Sequence, residues 1–189
     1  MYKEIEIQAK IENSNDIRKL VTAEAVLVSE NRQIDQYYVP AHRDFLSVKP
    51  IEEWFRIRGE KGIFSVNYKK WHYENEVGIY ADEFETIIEN KEAYEKILDA
   101  LNFTKVVTVD KIRLKYNYRD YEIAFDTVVG LGDFIEIEWK GKQDVSPEEI
   151  TDAMFAFLKG NNCGKIQNTN GGYPMALLFP EDVKYIDIL

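Results

Sequence analysis

The chain has 189 residues, 45% hydrophobic and 31% charged, which is the make-up of a globular domain with a core and not of a disordered segment. Its 24 Lys and Arg face 34 Asp and Glu, a net charge of −10, so a broad nucleic-acid-binding face or an anionic-membrane footprint is excluded unless the cations gather locally. The one cysteine, Cys163, excludes an internal disulfide and a CxxC metal motif, and no apolar run reaches the length of a bilayer.

Residues 1–11 alternate charged with apolar side chains, which is the pattern of a strand at 2–11 and not of a signal peptide; the cytoplasm is the expected compartment. Asn13 or Ser14 can cap a helix over 16–25. A strand over 28–39 carries Gln33, Asp35, Tyr37 and Tyr38, and a loop covers 40–50. Strands follow at 53–58, 63–71 and 78–89, the first two joined by a turn at 59–62. Asn90 can cap a helix to 101, with Tyr94, Ile97, Leu98 and Leu101 on one face. A long strand, 103–118, turns at Arg119 and Asp120 into 121–128, and 130–133 turns again into 134–140. Ser146 and Pro147 with two glutamates start a helix to 159; 160–172 is a Gly/Asn-rich loop, 174–178 a short helical turn, and the tail carries no assignment. The sum is one domain over 1–189 with eight strands, and the short links favour antiparallel pairing.

Residues two apart in a strand share a face. Here one face of strand after strand carries charge of a single sign, while the other is apolar. Glu4 and Glu6 oppose Ile5 and Ile7; Arg56 and Arg58 oppose Phe55 and Ile57; Lys111, Arg113 and Lys115 oppose Ile112 and Leu114. Glu136 and Glu138 oppose Ile135 and Ile137, Asp126 opposes Phe125, and Lys69 opposes Tyr68. A solvated face mixes signs, whereas rows sorted by sign suit an enclosed site. The expected fold is therefore α+β: a closed eight-stranded antiparallel β-barrel, its charges inside and its helices packed outside. Buried like charges are costly unless compensated, and a triphosphate would compensate the cations. Clustered carboxylates facing the same polyanion call for a divalent ion between them, with Glu4, Glu6, Asp126, Glu136 and Glu138 as its oxygen donors.

Glu4-Ile5-Glu6 resembles the ExExK signature of the CYTH superfamily, the triphosphate tunnel metalloenzymes. Gln33, Asp35, Tyr37 and Tyr38, then Phe55-Arg56-Ile57-Arg58, Tyr68-Lys69, and Glu83 with Glu85 follow in the family's order. Lys111, Arg113 and Tyr116 resemble its KxRxxY pattern. Asp126 and the run from Gly130-Leu131-Gly132-Asp133-Phe134 through Glu138 resemble the class IV adenylyl cyclase-like branch, and Tyr173, Leu177 and Leu178 resemble the SYxxLL element. Three positions depart: Gln8 replaces the signature lysine, Ala81 stands where a basic residue is usual, and Gly172 replaces the serine. Lys10 and Lys115, of the right strand parity, are the cations that can compensate.

The resemblance implies a triphosphate tunnel in which Lys10, Arg56, Arg58, Lys69, Lys111, Arg113 and Lys115 bind phosphates. Glu4, Glu6, Lys111 and Arg113 would be the catalytic residues, and Mg²⁺ or Mn²⁺ the cofactor. The first reading is cyclisation of ATP to cyclic AMP and pyrophosphate. The second is hydrolysis of inorganic triphosphate, thiamine triphosphate or a nucleotide, and the third a nucleotide-binding module without chemistry. The implied partners are a nucleoside triphosphate or another triphosphate, with no nucleic acid and no membrane, and a homodimer by analogy with related proteins. Trp54, Trp71 and Trp139 read as packing residues; His42, His72, Lys3, Glu60 and Lys61 read as surface residues. Glu83 and Glu85 are left open between the inner face and solvent.

Overall fold

The computed structural model describes residues 3–11, 15–74, 77–142, 144–161, 164–167 and 171–188. Asn13, Ser14 and Cys163 lie outside the described residues. The N-terminal segment forms β1 (Lys3–Glu4) and β2 (Glu6–Lys10), followed by α1 (Asn15–Glu24) and the long β3 (Val26–Pro40). Next come β4 (Glu53–Glu60), β5 (Ile63–Glu74), β6 (Val77–Ile88), α2 (Lys91–Ala100), β7 (Phe103–Tyr118), β8 (Tyr121–Val128) and β9 (Gly132–Trp139). The chain ends with α3 (Pro147–Gly160), β10 (Lys165–Gln167), α4 (Gly172–Leu178) and β11 (Tyr185–Asp187). None of the helices is long and apolar enough to cross a membrane.

Local chemistry places these boundaries. Lys61 and Gly62 both have positive φ, 52° and 79°, as a two-residue hairpin turn between twisted strands demands. Asn90 accepts from the Ala93 amide to start α2, and Ser146 accepts from the Glu149 amide to start α3 one residue before Pro147. The short strands β10 and β11 fall in the stretch read as loop and in the unassigned tail. They are too brief to show alternation and exist because β10 finds a partner in β2.

All pairings are antiparallel, in the order β1-β6-β5-β4-β3-β7-β8-β9-β2-β10-β11. The sheet is curled, and the ladder is open-ended where a closed eight-stranded ring was expected. The two flanks approach through the N-terminal segment and through α3, which touches both β2 and β6. Glu4 pairs with Ala81 of β6, while Glu6, two residues later, pairs with Glu138 of β9. Closure thus depends on a two-residue strand, which is too short to form a continuous seam.

Helices cover the apolar outer face over part of the sheet only: Ile34, Phe84 and Ile112 remain exposed on it, and α4 packs on the inner side. Ile7, Ala9, Ile123, Phe125, Ile135 and Ile137 pack against Ile17 and Val21 of α1 and Met154 and Leu158 of α3. On the other flank Ile57 and Val66 pack with Leu98 of α2. Full burial of one such aliphatic side chain contributes about 1.5–3 kcal/mol. A third cluster lies on the inner face: Tyr37, Trp54, Val109, Val128 and Phe134 meet Tyr173 and Met175 of α4. These residues continue the charged rows by one step along each strand. They plug one end of the space that the charges enclose.

Candidate active site

Inside the curl lies a cavity of about 280 Å³ with walls of opposite charge. One wall is basic. Arg56 and Arg58 come from β4, and Lys111, Arg113 and Lys115 from β7, at the spacing of two that keeps them on the inner face.

Two buried aspartates anchor this wall from behind. Asp35, 1% exposed, accepts both Nε and Nη2 of Arg58 at 2.7 Å. Asp126, 0% exposed, accepts from Arg113 Nε at 2.7 Å, Lys111 Nζ at 3.0 Å and the Tyr173 hydroxyl at 2.7 Å. Burial opposes ionisation of both aspartates. Arg58 and Arg56 outweigh it at Asp35, and Arg113 and Lys111 at Asp126, so both carboxyls stay below the usual range. Arg113 also holds Glu136, which takes a further bond from Gln8 Nε2 at 2.8 Å. Burial is again overcome, by Arg113 first and Lys111 next, and Glu136 is kept ionised. For Lys111 burial and the neighbouring Arg113 win over Asp126, and its pKa falls to about 8.

The opposite wall is acidic. Lys69 Nζ lies 2.6 Å from Glu4 Oε2 and also bonds Glu6. Glu83 accepts from Asn67, and Glu138 pairs with Lys140 at 2.5 Å. Burial raises the Glu4 pKa well above normal; Glu6 adds to that, Lys69 opposes it, and Glu83 and Glu138 add further. Lys69 is raised in turn, because Glu4 and Glu6 outweigh its burial. The acidic side thus carries more negative charge than its one central lysine neutralises.

The cavity brings together Glu4, Glu6, Arg56, Arg58, Lys69, Lys111, Arg113, Lys115, Glu136 and Glu138 from the sequence-derived set. Asp126 is not on the cavity surface but beneath it, committed to Lys111, Arg113 and Tyr173. Lys10 is also outside the cavity lining. Its Nζ sits 4.8 Å from the Tyr185 ring centroid and 6.0 Å from that of Phe134, because β2 has by then run past the apolar plug. Among the described residues no three acidic, histidine or cysteine side chains gather closely enough to hold a metal ion; Lys69 occupies the centre of the acidic wall.

Several site residues escaped the sequence reading although strand parity marks them. Trp54 stands two before Arg56, Trp71 two after Lys69, and Tyr37 two after Asp35, and all three line the cavity. Glu83 and Glu85 line it too, because Glu83 pairs with Lys69 across β5 and β6. Glu60, read as a surface charge, accepts from the amides of buried Asn31 and Gln33. His72 stacks on Tyr80 and lies 2.7 Å from Asp82. At the departures, Gln8 bonds Glu136, and Ala81 is fully buried opposite both Trp71 and Glu4. Gly172 has φ +60°, which glycine adopts freely and serine does not.

The fold recurs in known proteins. A protein of Methanocaldococcus jannaschii named as a putative adenylate cyclase is 33% identical over 164 residues, which span 86% of this chain and 91% of that one. The PH1819 protein of Pyrococcus horikoshii superposes with a TM-score of 0.76 at 26% identity, covering 94% of this chain and 99% of the other. A Hippeastrum protein described as a putative adenylyl cyclase with a dominant triphosphatase activity superposes with a TM-score of 0.63 at 16% identity, covering 97% and 98%. The CYTH domain family matches residues 2–173, and this chain belongs to it.

Proposed function

We propose that the protein binds a triphosphate between the two charged walls and processes it with a divalent metal ion, ATP cyclisation being the first reaction. One observation carries this reading. Arg56, Arg58, Lys111 and Arg113 face Glu4, Glu6, Glu83 and Glu138 across a single cavity. A polyanion bridged to a cation is the ligand that satisfies both sides. The resemblance to the Methanocaldococcus jannaschii protein supports a nucleotide as the substrate.

Glu4, Glu6 and Glu138 carry the hard oxygen donors that Mg²⁺ or Mn²⁺ requires and would hold the ion only with Lys69 released from Glu4 and Glu6, which it pairs with here. When bound, the ion would lower the pKa of the ribose 3′-hydroxyl and neutralise phosphate charge. The chain's own part is positioning and charge stabilisation. Arg113 and Lys111, fixed from behind by Asp126, face the phosphates already oriented and need no reorganisation as charge moves onto the leaving pyrophosphate. In the reaction the 3′-oxygen bonds to the α-phosphorus, the bond to the β-phosphate bridging oxygen breaks, and the hydroxyl proton leaves to solvent. On this reading the N-terminal segment closes the barrel around the ligand.

The cavity volume falls just under the range of about 300–1,000 Å³ usual for organic ligands. It suits a polyphosphate, with any nucleoside held at the mouth, and this supports hydrolysis of inorganic triphosphate as the second reading. Incubation with ATP or tripolyphosphate and Mg²⁺ or Mn²⁺, followed by separation of products, tests both. Cyclic AMP with pyrophosphate establishes the first reading, and orthophosphate release the second. Neither product, together with no binding of either compound, overturns the proposal.

A further inference from the structure

The four arginine and lysine side chains deepest in the basic wall are not equally committed. Arg58 and Arg113 make close bidentate pairs with Asp35 and Asp126, and Lys111 is bonded to Asp126. Arg56 has only long contacts: the Tyr37 hydroxyl at 3.4 Å, Asp35 at 3.5 Å and Glu83 at 3.7 Å. Its Nε–H is buried and has no acceptor.

Two residues earlier on the same strand face stands Trp54, 6% exposed, whose Nε1–H is likewise buried without an acceptor. Both side chains line the cavity. A buried donor left unpaired is disfavoured, and two side by side in one cavity wall are best explained by an acceptor that joins them when the site is filled. The cross-strand partner of Trp54 is Lys69, so a second cation borders the same spot. Asp35 and Glu83 are the acids that face it, and neither holds Arg56 closely.

This spot lies at the plugged end. Trp54 packs edge-on to Tyr37 with ring centroids 5.6 Å apart, and Phe134, Tyr173 and Met175 complete the floor. Lys115, Glu122 and Lys140 lie at the other end, where side-chain exposure rises to 42% at Lys140. A chain of phosphates can therefore end at Trp54, with a nucleoside lying toward the more exposed end at Lys140.

We infer that the Trp54 indole N–H and the Arg56 Nε–H form a donor pair that binds the terminal phosphoryl group of the substrate at the closed end of the cavity. This rests on the triphosphate reading above and gives the substrate a direction within it. Tryptophan is thereby a phosphate-binding residue here, through its N–H and not its ring face.

The test uses the full chain with tripolyphosphate, once with Mg²⁺ and once with EDTA to prevent turnover. The protein has three tryptophans, so ¹⁵N-labelled protein shows three indole N–H signals, assigned by loss in Trp54→Phe or by elimination in Trp71→Phe and Trp139→Phe. The Trp54 signal is expected to move downfield on saturation. Trp54→Phe keeps the ring against Tyr37 and is expected to weaken tripolyphosphate binding about tenfold, the loss of one hydrogen bond to a charged acceptor. Binding within twofold of the parent protein, or an indole signal that stays in place while ligand binds, overturns the inference. A parent protein that binds no tripolyphosphate in either buffer overturns instead the triphosphate reading beneath it.

Discussion

Asp126 lies beneath the cavity surface and holds Lys111, Arg113 and Tyr173 at once with no solvent exposure. Removing its charge takes the paired carboxylate from buried Lys111 and leaves Arg113 with Glu136 alone, so Asp126→Asn is expected to cost about 3–5 kcal/mol in urea denaturation. Saturating tripolyphosphate should recover part of that loss, because the ligand brings the missing negative charge. Lys111 makes a second, pH-dependent statement. Burial and Arg113 lower its pKa to about 8, whereas in the unfolded chain it titrates near the ordinary value of about 10.4. Its cost to folding is therefore fully present below pH 8 and is relieved as pH rises from 8 toward 10.4. Ligand binding runs the other way, since a bound polyanion favours the ammonium. Triphosphate affinity should fall as pH rises through about 8, with proton uptake on binding near pH 8–9, measurable by calorimetry in buffers of different ionisation enthalpy. Lys111→Arg, which stays charged, should abolish that uptake; uptake that persists would assign the titration to another group.

At the scale of elements, α4 sets the floor of the cavity, and its Tyr173 meets the basic wall through the hydroxyl bond to Asp126 and through the ring beneath Lys111. Tyr173→Phe removes the hydroxyl that donates to Asp126 at 2.7 Å. The expected cost is about 1–3 kcal/mol, with faster hydrogen exchange at the α4 amides than at those of β7. Unchanged exchange in α4 would show that the apolar contacts of Tyr173 and Met175 seat it alone. The legibility of the sequence divides along the same line. The long strands were readable because each repeats one sign of charge against one apolar face, as β4 does with Arg56 and Arg58 opposite Ile57. The helices were readable from their caps at Asn90 and Ser146. Parity puts Trp54, Trp71 and Tyr37 on the charged face, yet the two tryptophans read as packing residues in the sequence, because an aromatic side chain looks the same whether it fills a core or floors a cavity. What parity cannot carry is distance along the strand. It could not show that Lys10 lies past the plug while Gln8 remains inside, nor that Asp126 serves the cations from beneath. The short β10 and β11 have no pattern of their own and owe their existence to pairing alone.

At the scale of the whole molecule, the curled sheet encloses two excesses of charge and is held across its flanks by an N-terminal segment that pairs with β6 on one side and β9 on the other. Glu4, next to that junction, has its pKa raised by burial and by neighbouring carboxylates, and the opposite wall presses Lys111 against Arg113. Both repulsions disfavour the fold, and on the proposed function a bound polyanion and cation would relieve them, which would link ligand and fold thermodynamically. Tripolyphosphate at about 100 times its Kd should add about 2.7 kcal/mol, which for a chain of this size is a rise in Tm of about 5–10 °C. Mg²⁺ alone addresses only the acidic wall, where Lys69 already competes for Glu4 and Glu6, so its separate effect should be smaller. Added together, the two should raise Tm by more than the sum of their separate shifts. The phosphate draws Lys69 away from the carboxylates that the ion needs, and the ion screens those carboxylates from the phosphate. A thermal melt with each ligand, with both, and with EDTA added last measures the coupling. Strictly additive shifts would mean that the two walls bind their ligands independently, and the absence of any shift would mean that the charges balance one another without a guest.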